Sequence, residues 1–260
     1  MKKAENPKKK KGGKLTLVII VIALAVMAFA LFKIAQIYKD YQESEQTFEK
    51  LEETYVVNPD GSSVTEDDWN DDTRIQFDAL KKENPDIMAW LRFDNFDDVH
   101  ISYPVLYSGD DSKYLRSDIY GNYHIAGCIF LEGLNNPDFS DYHSIIYGHN
   151  MRNGTMFGSL GKYLDESYAK KHNEIYVFTE SNTKTYEVFA VYTTINGSNT
   201  YTTRFSNTEN FIKYKNNMSA QSNIDFGVDT DNNKRVLTLS TCYSGGDSKL
   251  IRTVVQAQEK

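Results

Sequence analysis

The sequence predicts a mainly β protein, a sandwich or a barrel, and three features lead there. From Met88 onward, apolar residues alternate over short runs instead of recurring at helical spacing. Gly, Asn and Asp fill the segments between those runs, as turn-forming residues do. The 14 Phe and 18 Tyr supply large side chains for a filled core. The candidate strands cover residues 88–93, 100–106, 126–131, 144–147, 175–179, 186–194, 236–241 and 251–256. Alternation alone leaves the choice between sandwich and barrel open.

The amino-terminal part differs sharply. Residues 1–14 hold seven Lys and one Glu, a balance of +6, whereas the whole chain carries −7, leaving −13 on residues 15–260. Residues 15–32 form an eighteen-residue apolar run in which Thr16 is the only polar side chain. As a helix this run spans roughly 27 Å, close to a hydrocarbon core of about 30 Å. Lysines on one side of such a run are the positive-inside signature. The reading is a basic cytoplasmic tail (1–14), a single-pass transmembrane anchor (15–32) and a remainder on the extracellular face. A cleaved signal peptide is the alternative, because Ala28-Phe29-Ala30 resembles an A-x-A site. The length of the apolar run and the helix directly after it favour the anchor.

After the anchor, Ile34, Ile37, Tyr41, Phe48, Leu51 and Tyr55 recur at loose helical spacing among acids and lysines, a juxtamembrane helix. Residues 56–67, with Asn-Pro-Asp-Gly-Ser-Ser, read as a linker, so that 33–72 is helix plus linker and 73–260 the main domain. A second helix is expected over 72–82, with Ile75, Phe77 and Leu80 available for packing, stopping before Pro85. Between Thr194 and Arg235 the chain is too long for an ordinary connection. Its middle, 207–220, places Phe211, Ile212, Tyr214 and Met218 at helical spacing, with Glu209 early and two lysines following, as a helix dipole favours.

Several residue types carry no special chemistry here. His100, His124, His143 and His172 are scattered without metal-ligand spacing and are taken as ordinary polar positions. Asp110-Asp111, Asp138 and Asp141 read as turn acids, so no metal site is expected. Cys128, within an apolar strand, is expected to be a small buried side chain and not a disulfide partner of Cys242. The acidic exterior argues against nucleic-acid binding.

Chemistry concentrates in Thr238-Leu239-Ser240-Thr241-Cys242, a strand that ends on a thiol, with Arg252 ten residues further on. Val236, Thr238, Ser240 and Cys242 share one strand face, and Leu250, Arg252, Val254 and Gln256 share a face of the next strand. If these pair as a hairpin around Gly245-Gly246, thiol and guanidinium stand side by side, an arrangement that favours thiolate. Upstream, Ser144-Ile145-Ile146-Tyr147-Gly148-His149-Asn150-Met151 places an imidazole at a strand end. The roles assigned are Cys242 as nucleophile, His149 as acid/base and Arg252 as electrostatic stabiliser. Ser240 is read as a hydrogen-bonding support beside the thiol and Thr241 as backbone packing.

The Thr-Leu-Ser-Thr-Cys strand, the step to Arg252 and Ile-Ile-Tyr-Gly-His-Asn-Met together resemble a sortase, the transpeptidase of Gram-positive cell surfaces. Asn84-Pro85-Asp86-Ile87-Met88-Ala89-Trp90-Leu91, Ile101-Ser102-Tyr103-Pro104-Val105 and Gly154-Thr155-Met156-Phe157-Gly158-Ser159-Leu160 agree, in order, over roughly residues 73–257. The resemblance implies an eight-stranded sortase β-barrel. The amino-terminal helices and the helix in the loop before the cysteine strand are similar to class B.

A class B resemblance implies cleavage of a C-terminal sorting signal, of the LPxTG or NPxTx kind, through a thioacyl-enzyme. The protein is then transferred to an amine of peptidoglycan or its precursor, and no cofactor is needed. The implied partners are surface proteins bearing that signal, the acceptor amine, and the membrane. Tyr243 stands where some class B enzymes carry an acidic residue, so their substrate preference is not carried over. Three alternatives remain: a pilus-polymerising sortase that uses a pilin lysine, a plain cysteine endopeptidase, and a non-catalytic peptide-binding domain.

Overall fold

The computed structural model describes residues 13–62, 64, 69, 73–93, 101–242 and 250–260, with Lys14 and Cys242 described by backbone alone. The chain divides into two compact units, one ending at Glu43 and the other running from Ser44 to Lys260. The segments expected as anchor and juxtamembrane helix are one uninterrupted helix, α1 (Gly13–Tyr55). In the first unit its apolar side chains stand exposed, and an eighteen-residue window reaches a mean hydropathy of 3.1. By length and composition this is one helix apolar enough to cross a membrane.

In the second unit the last turns of α1 change character. Ser44, Phe48 and Leu51 are buried, Phe48 meets Tyr103 edge-on at 5.3 Å, and Glu52 accepts from Ser102 Oγ at 2.7 Å. The segment expected as linker and the start of the expected 72–82 helix form a two-residue ladder instead. β1 (Val56–Val57) pairs antiparallel with β2 (Arg74–Ile75), so Ile75 is extended and not helical. Two adjacent valines, with Val56 opposite Ile75 and Val57 opposite Arg74, suit a pleated pair better than a helix start. α2 follows as Phe77–Glu83. It ends at Asn84, whose extended backbone (φ −150°, ψ 117°) is what a residue ahead of proline adopts.

The eight remaining strands close into a barrel. They are β3 (Ile87–Phe93), β4 (Ser102–Leu106), β5 (Ile129–Leu131), β6 (His143–Tyr147), β7 (Glu174–Thr179), β8 (Thr183–Ile195), β9 (Val236–Cys242) and β10 (Ile251–Glu259). The order around the barrel is β10-β8-β7-β3-β4-β5-β6-β9, which returns to β10 and leaves no open edge. All neighbours are antiparallel except β4 with β5 and β6 with β9. The eight-strand expectation holds with shifted ends. β5 starts three residues later than expected because Gly127, at φ +56°, breaks the extended backbone. A helix α3 (Glu166–Lys171), capped by the Asp165 side chain, was not anticipated.

The helix expected in the long connection is α4 (Thr208–Ser219), with the Asn207 side chain capping the Asn210 N–H. Phe211, Tyr214, Lys215 and Met218 form its buried stripe. Phe211, Tyr214 and Met218 pack on Phe189, Tyr192, Val236 and Val254, so α4 covers the outer face of β8, β9 and β10. β9 is consequently buried on both faces, the inner carrying Leu237 and Leu239, the outer Val236, Thr238 and Ser240. Lys215 is not the dipole-facing surface charge its position implied. Its ammonium is buried and donates to Asn232 Oδ1, the Lys234 carbonyl and Gln258 Oε1, and burial pushes its pKa down to about 8.

His143 is likewise no ordinary polar position. It lies fully buried under the α4 connection, at the start of β6. Since a carbonyl can only accept, Nδ1 donates to Thr202 O at 2.7 Å, leaving Nε2 to accept from Thr238 Oγ1 at 2.6 Å. Gln256 and Tyr214 extend the network on to Thr200 O. Desolvation lowers the His143 pKa to about 4. Unfolded, the same imidazole titrates near its ordinary value of about 6.5, so the unfolded chain binds the extra proton first.

Stability should therefore be complete above about pH 6.5 and fall by an amount on the order of 3 kcal/mol as pH drops towards 4. Urea unfolding of the wild type and of His143→Asn across that range checks it. The variant should lack this component of the acid slope.

Candidate active site

Two strand pairings build the site. β9 and β10 run antiparallel with Cys242 directly opposite Arg252, Ser240 opposite Val254 and Thr238 opposite Gln256. The side-by-side register expected from the sequence is thus present in the backbone. The Gly245-Gly246 turn and Tyr243 lie outside the described residues, as does the Cys242 side chain. β6 and β9 run parallel, with Tyr147 beside Ser240, and the Gly148 N–H donates to Ser240 O at 3.2 Å. His149 and Cys242 therefore each stand two residues beyond the same paired position, at the same end of the barrel. The structure brings the backbones of Cys242, His149 and Arg252 to one barrel rim.

The turn that carries His149 is built from the Gly-Thr-Met-Phe-Gly stretch. A side chain at Gly148 would meet the Phe157 ring at 2.7 Å, and one at Gly158 would run into the Met151 carbonyl oxygen, so both positions exclude a Cβ. The His149 carbonyl accepts from the Met151 and Phe157 N–H groups, and Tyr103 OH accepts from the Met156 N–H. The loop is pinned from below by the barrel.

His149 Nε2 lies 2.6 Å from the Leu115 carbonyl. The carbonyl has no proton to give, so Nε2–H donates and Nδ1 is the nitrogen that can accept a proton. Burial lowers the His149 pKa most; the Leu115 carbonyl raises it and the nearby Arg116 guanidinium lowers it again. The imidazole rests neutral at pH 7. Arg252 is half-buried, its Nη1 donating to Ile251 O at 3.1 Å.

Of the supporting residues, Ser240 Oγ lies 2.9 Å from Tyr201 OH. Thr241 is buried, and its hydroxyl has no hydrogen-bond partner among the described residues. Cys128 is a free, buried thiol whose Sγ donates to Ser117 O, and burial pushes its pKa up. Asp110 caps its own turn through Ser112, and Asp138 does so through Ser140. Asp141 instead joins Asn135, Asn136 and Arg204. Sequence reasoning missed the Leu115 carbonyl, Tyr201 and Glu132, whose carboxyl holds Tyr147 OH at 2.6 Å. A backbone carbonyl carries no residue signature, and Tyr201 sits in a connection whose path only the fold defines.

The Sortase domain model matches residues 95–260 of the chain. Sortase B of Listeria monocytogenes is 31% identical over 247 residues, covering 95% of this chain and 96% of that protein. The crystal structure of sortase B from B. anthracis in complex with AAEK1 superposes with a TM-score of 0.71 at 30% identity, over 85% of this chain and 98% of that one. The Staphylococcus aureus sortase B–substrate complex gives 0.72 at 26% identity, over 85% and 98%. The chain belongs to the sortase family. Its class is B, and its reaction is that of a cysteine transpeptidase. Sortases act on surface proteins that bear a sorting signal and on cell-wall precursors.

Replacing Arg116 with Gln should raise the pH at which His149 titrates, because a like charge is removed. Imidazole proton shifts followed by NMR across the titration provide the measurement. An unchanged midpoint would show that burial alone sets the neutral state.

Proposed function

We propose that this transpeptidase uses Cys242 as nucleophile, His149 as acid and base, and Arg252 as oxyanion donor. The supporting observation is the double register. The parallel β6–β9 pair and the antiparallel β9–β10 pair lead all three residues to one rim. An extended sorting signal lies across that rim. The Cys242 thiol loses its proton to His149 Nδ1 and its sulfur attacks the carbonyl of a threonine, forming a tetrahedral oxyanion. Arg252 stabilises that oxyanion with fixed, always-charged donors. His149 returns the proton to the leaving amine, the C–N bond breaks, and a thioacyl-enzyme remains. An incoming amine gives its proton to His149, attacks the thioester and releases the thiol.

In this reading residues 1–14 are a basic cytoplasmic tail, 15–32 a single-pass anchor, 33–72 a juxtamembrane helix and linker whose part from Ser44 on packs with the barrel unit, and 73–260 the extracellular catalytic domain. The acceptor is an amine of peptidoglycan or its precursor, and the signal is of the NPxTx or LPxTG kind. A helix apolar enough to span a bilayer, preceded by seven lysines, supports that orientation.

The test is incubation of residues 33–260 with a sorting-signal peptide library, alone, with a peptidoglycan-type amine, and with a lysine-bearing pilin domain. Mass spectrometry should find an acyl adduct on Cys242 and amine-dependent product. Equal yield with and without amine would mean hydrolysis instead, and transfer to the pilin lysine alone would mean pilus assembly. Cys242→Ala should abolish the adduct. Arg252→Lys should fold normally yet lose turnover by roughly a hundredfold, since an ammonium lacks the planar donor fork. Near-normal turnover of Arg252→Lys would remove Arg252 from the oxyanion role.

A further inference from the structure

Glu132 directly follows β5, and its backbone N–H donates to Ile145 O at 2.8 Å, which sets it against β6. Its half-buried carboxyl accepts from Tyr147 OH at 2.6 Å, the length of a charge-assisted O–H···O⁻ bond. Tyr147 is the last residue of β6, and Phe130 lies against it at 5.5 Å. Its ring stacks on Tyr201 with centroids 6.2 Å apart and planes 24° apart. Tyr201 OH meets Ser240 Oγ at 2.9 Å, two residues before Cys242. Glu132, Tyr147, Tyr201 and Ser240 thus form one continuous path from the β5–β6 connection to the rim.

A second carboxyl faces the first. Asp111, in the loop after β4, anchors the Gly133 N–H at 2.6 Å, and Tyr107 OH donates to Gly133 O at 3.2 Å. The titratable groups facing Glu132 are therefore Asp111 from that loop and Tyr147 from β6, with Tyr201 behind Tyr147. Burial and Asp111 raise the Glu132 pKa, while the Tyr147 hydroxyl opposes them.

We propose that Glu132 is a positioning residue for the sorting peptide, holding Tyr147 and through it the Tyr201 ring, whose hydroxyl meets Ser240. The proposal rests on the reading that the Cys242 rim is the peptide groove. An ionised Glu132 is the stronger acceptor for the tyrosine hydroxyl, so the hold is firmest while the carboxyl is charged and loosens as it takes a proton. Asp111 moves that loosening to a higher pH than a lone carboxyl would show. Peptide binding, and not the chemical step, should carry the effect.

Steady-state kinetics with a sorting-signal peptide and amine, from pH 5 to 8, test this on Glu132→Gln, Tyr147→Phe, their double variant and Asp111→Asn. Glu132→Gln and Tyr147→Phe should each raise KM by roughly three- to tenfold at pH 7.5 with kcat little changed, the range one hydrogen bond commands. The double variant should be no worse than either single one. The wild-type KM should rise on acidification, stay flat in Glu132→Gln, and rise only at lower pH in Asp111→Asn.

Additive effects in the double variant, a fall in kcat at constant KM, or an acid rise of KM that persists in Glu132→Gln would overturn the proposal. Thermal unfolding of each variant separates lost folding from lost positioning, because a folded variant with wild-type KM refutes it outright. Failure of the groove reading itself would show differently, as undiminished peptide turnover by Cys242→Ala.

Discussion

The parallel pairing of β6 with β9 is the constraint on which the rest of the structure depends. Antiparallel hairpins bring together residues that are near in sequence, but His149 and Cys242 lie 93 positions apart. Only a parallel ladder makes both chains leave the barrel in the same direction at the same level. That pairing also completes the closed barrel, so the interaction that places the imidazole near the thiol strand is the one that removes the sheet's edges. A one-residue slip of β6 would turn Tyr147 to the other face and move His149 off the rim.

The cost of that arrangement is a strand buried on both sides, which must satisfy its polar outer face without water. Thr238, His143, Tyr214, the Gln256 amide NH2 and the Thr200 and Thr202 carbonyls bond one another beneath α4, while Gln256 Oε1 has no partner among the described residues. Such a network is directional where an apolar layer is not, so it defines the seating of the α4 connection on β9 and β10. Lys215 ties the far end of the same helix to β10 and to residues 232–234. The connection that carries Tyr201 to Ser240 is held at both ends by polar contacts, with Phe211, Tyr214 and Met218 filling the space between.

Electrostatics at the rim follow from position more than from residue type. His149 and His143 are the same side chain, and each gives one N–H to a carbonyl, yet they differ in what their second nitrogen meets. In His143 it is used up by a buried threonine hydroxyl, whereas in His149 it is the nitrogen that can accept a proton, on a half-exposed turn. Burial keeps both imidazoles neutral near pH 7. Burial acts on Glu132 in the opposite sense, raising its carboxyl pKa, and the nearby Asp111 adds to that rise.

Local pattern was enough for the strands, because alternation of apolar residues is read directly from the pleat. It was enough for α4, because Phe211, Tyr214 and Met218 recur at helical spacing, with Glu209 early in the segment. The apolar span of α1 and the Cys242–Arg252 hairpin register were legible for the same reason, both being short-range. The β1–β2 ladder was not legible, since two-residue strands carry no period and Val56 and Ile75 meet only through the fold. Nor was the burial of His143 and Lys215, because polarity announces exposure until another element covers it. The sequence by itself determined the eight barrel strands, α1 and α4, and where the thiol, imidazole and guanidinium stand along the chain. Tertiary structure alone decided which carbonyl holds His149, which carboxyl holds Tyr147 and which tyrosine hydroxyl meets Ser240, since these are contacts between distant segments that no local spacing encodes.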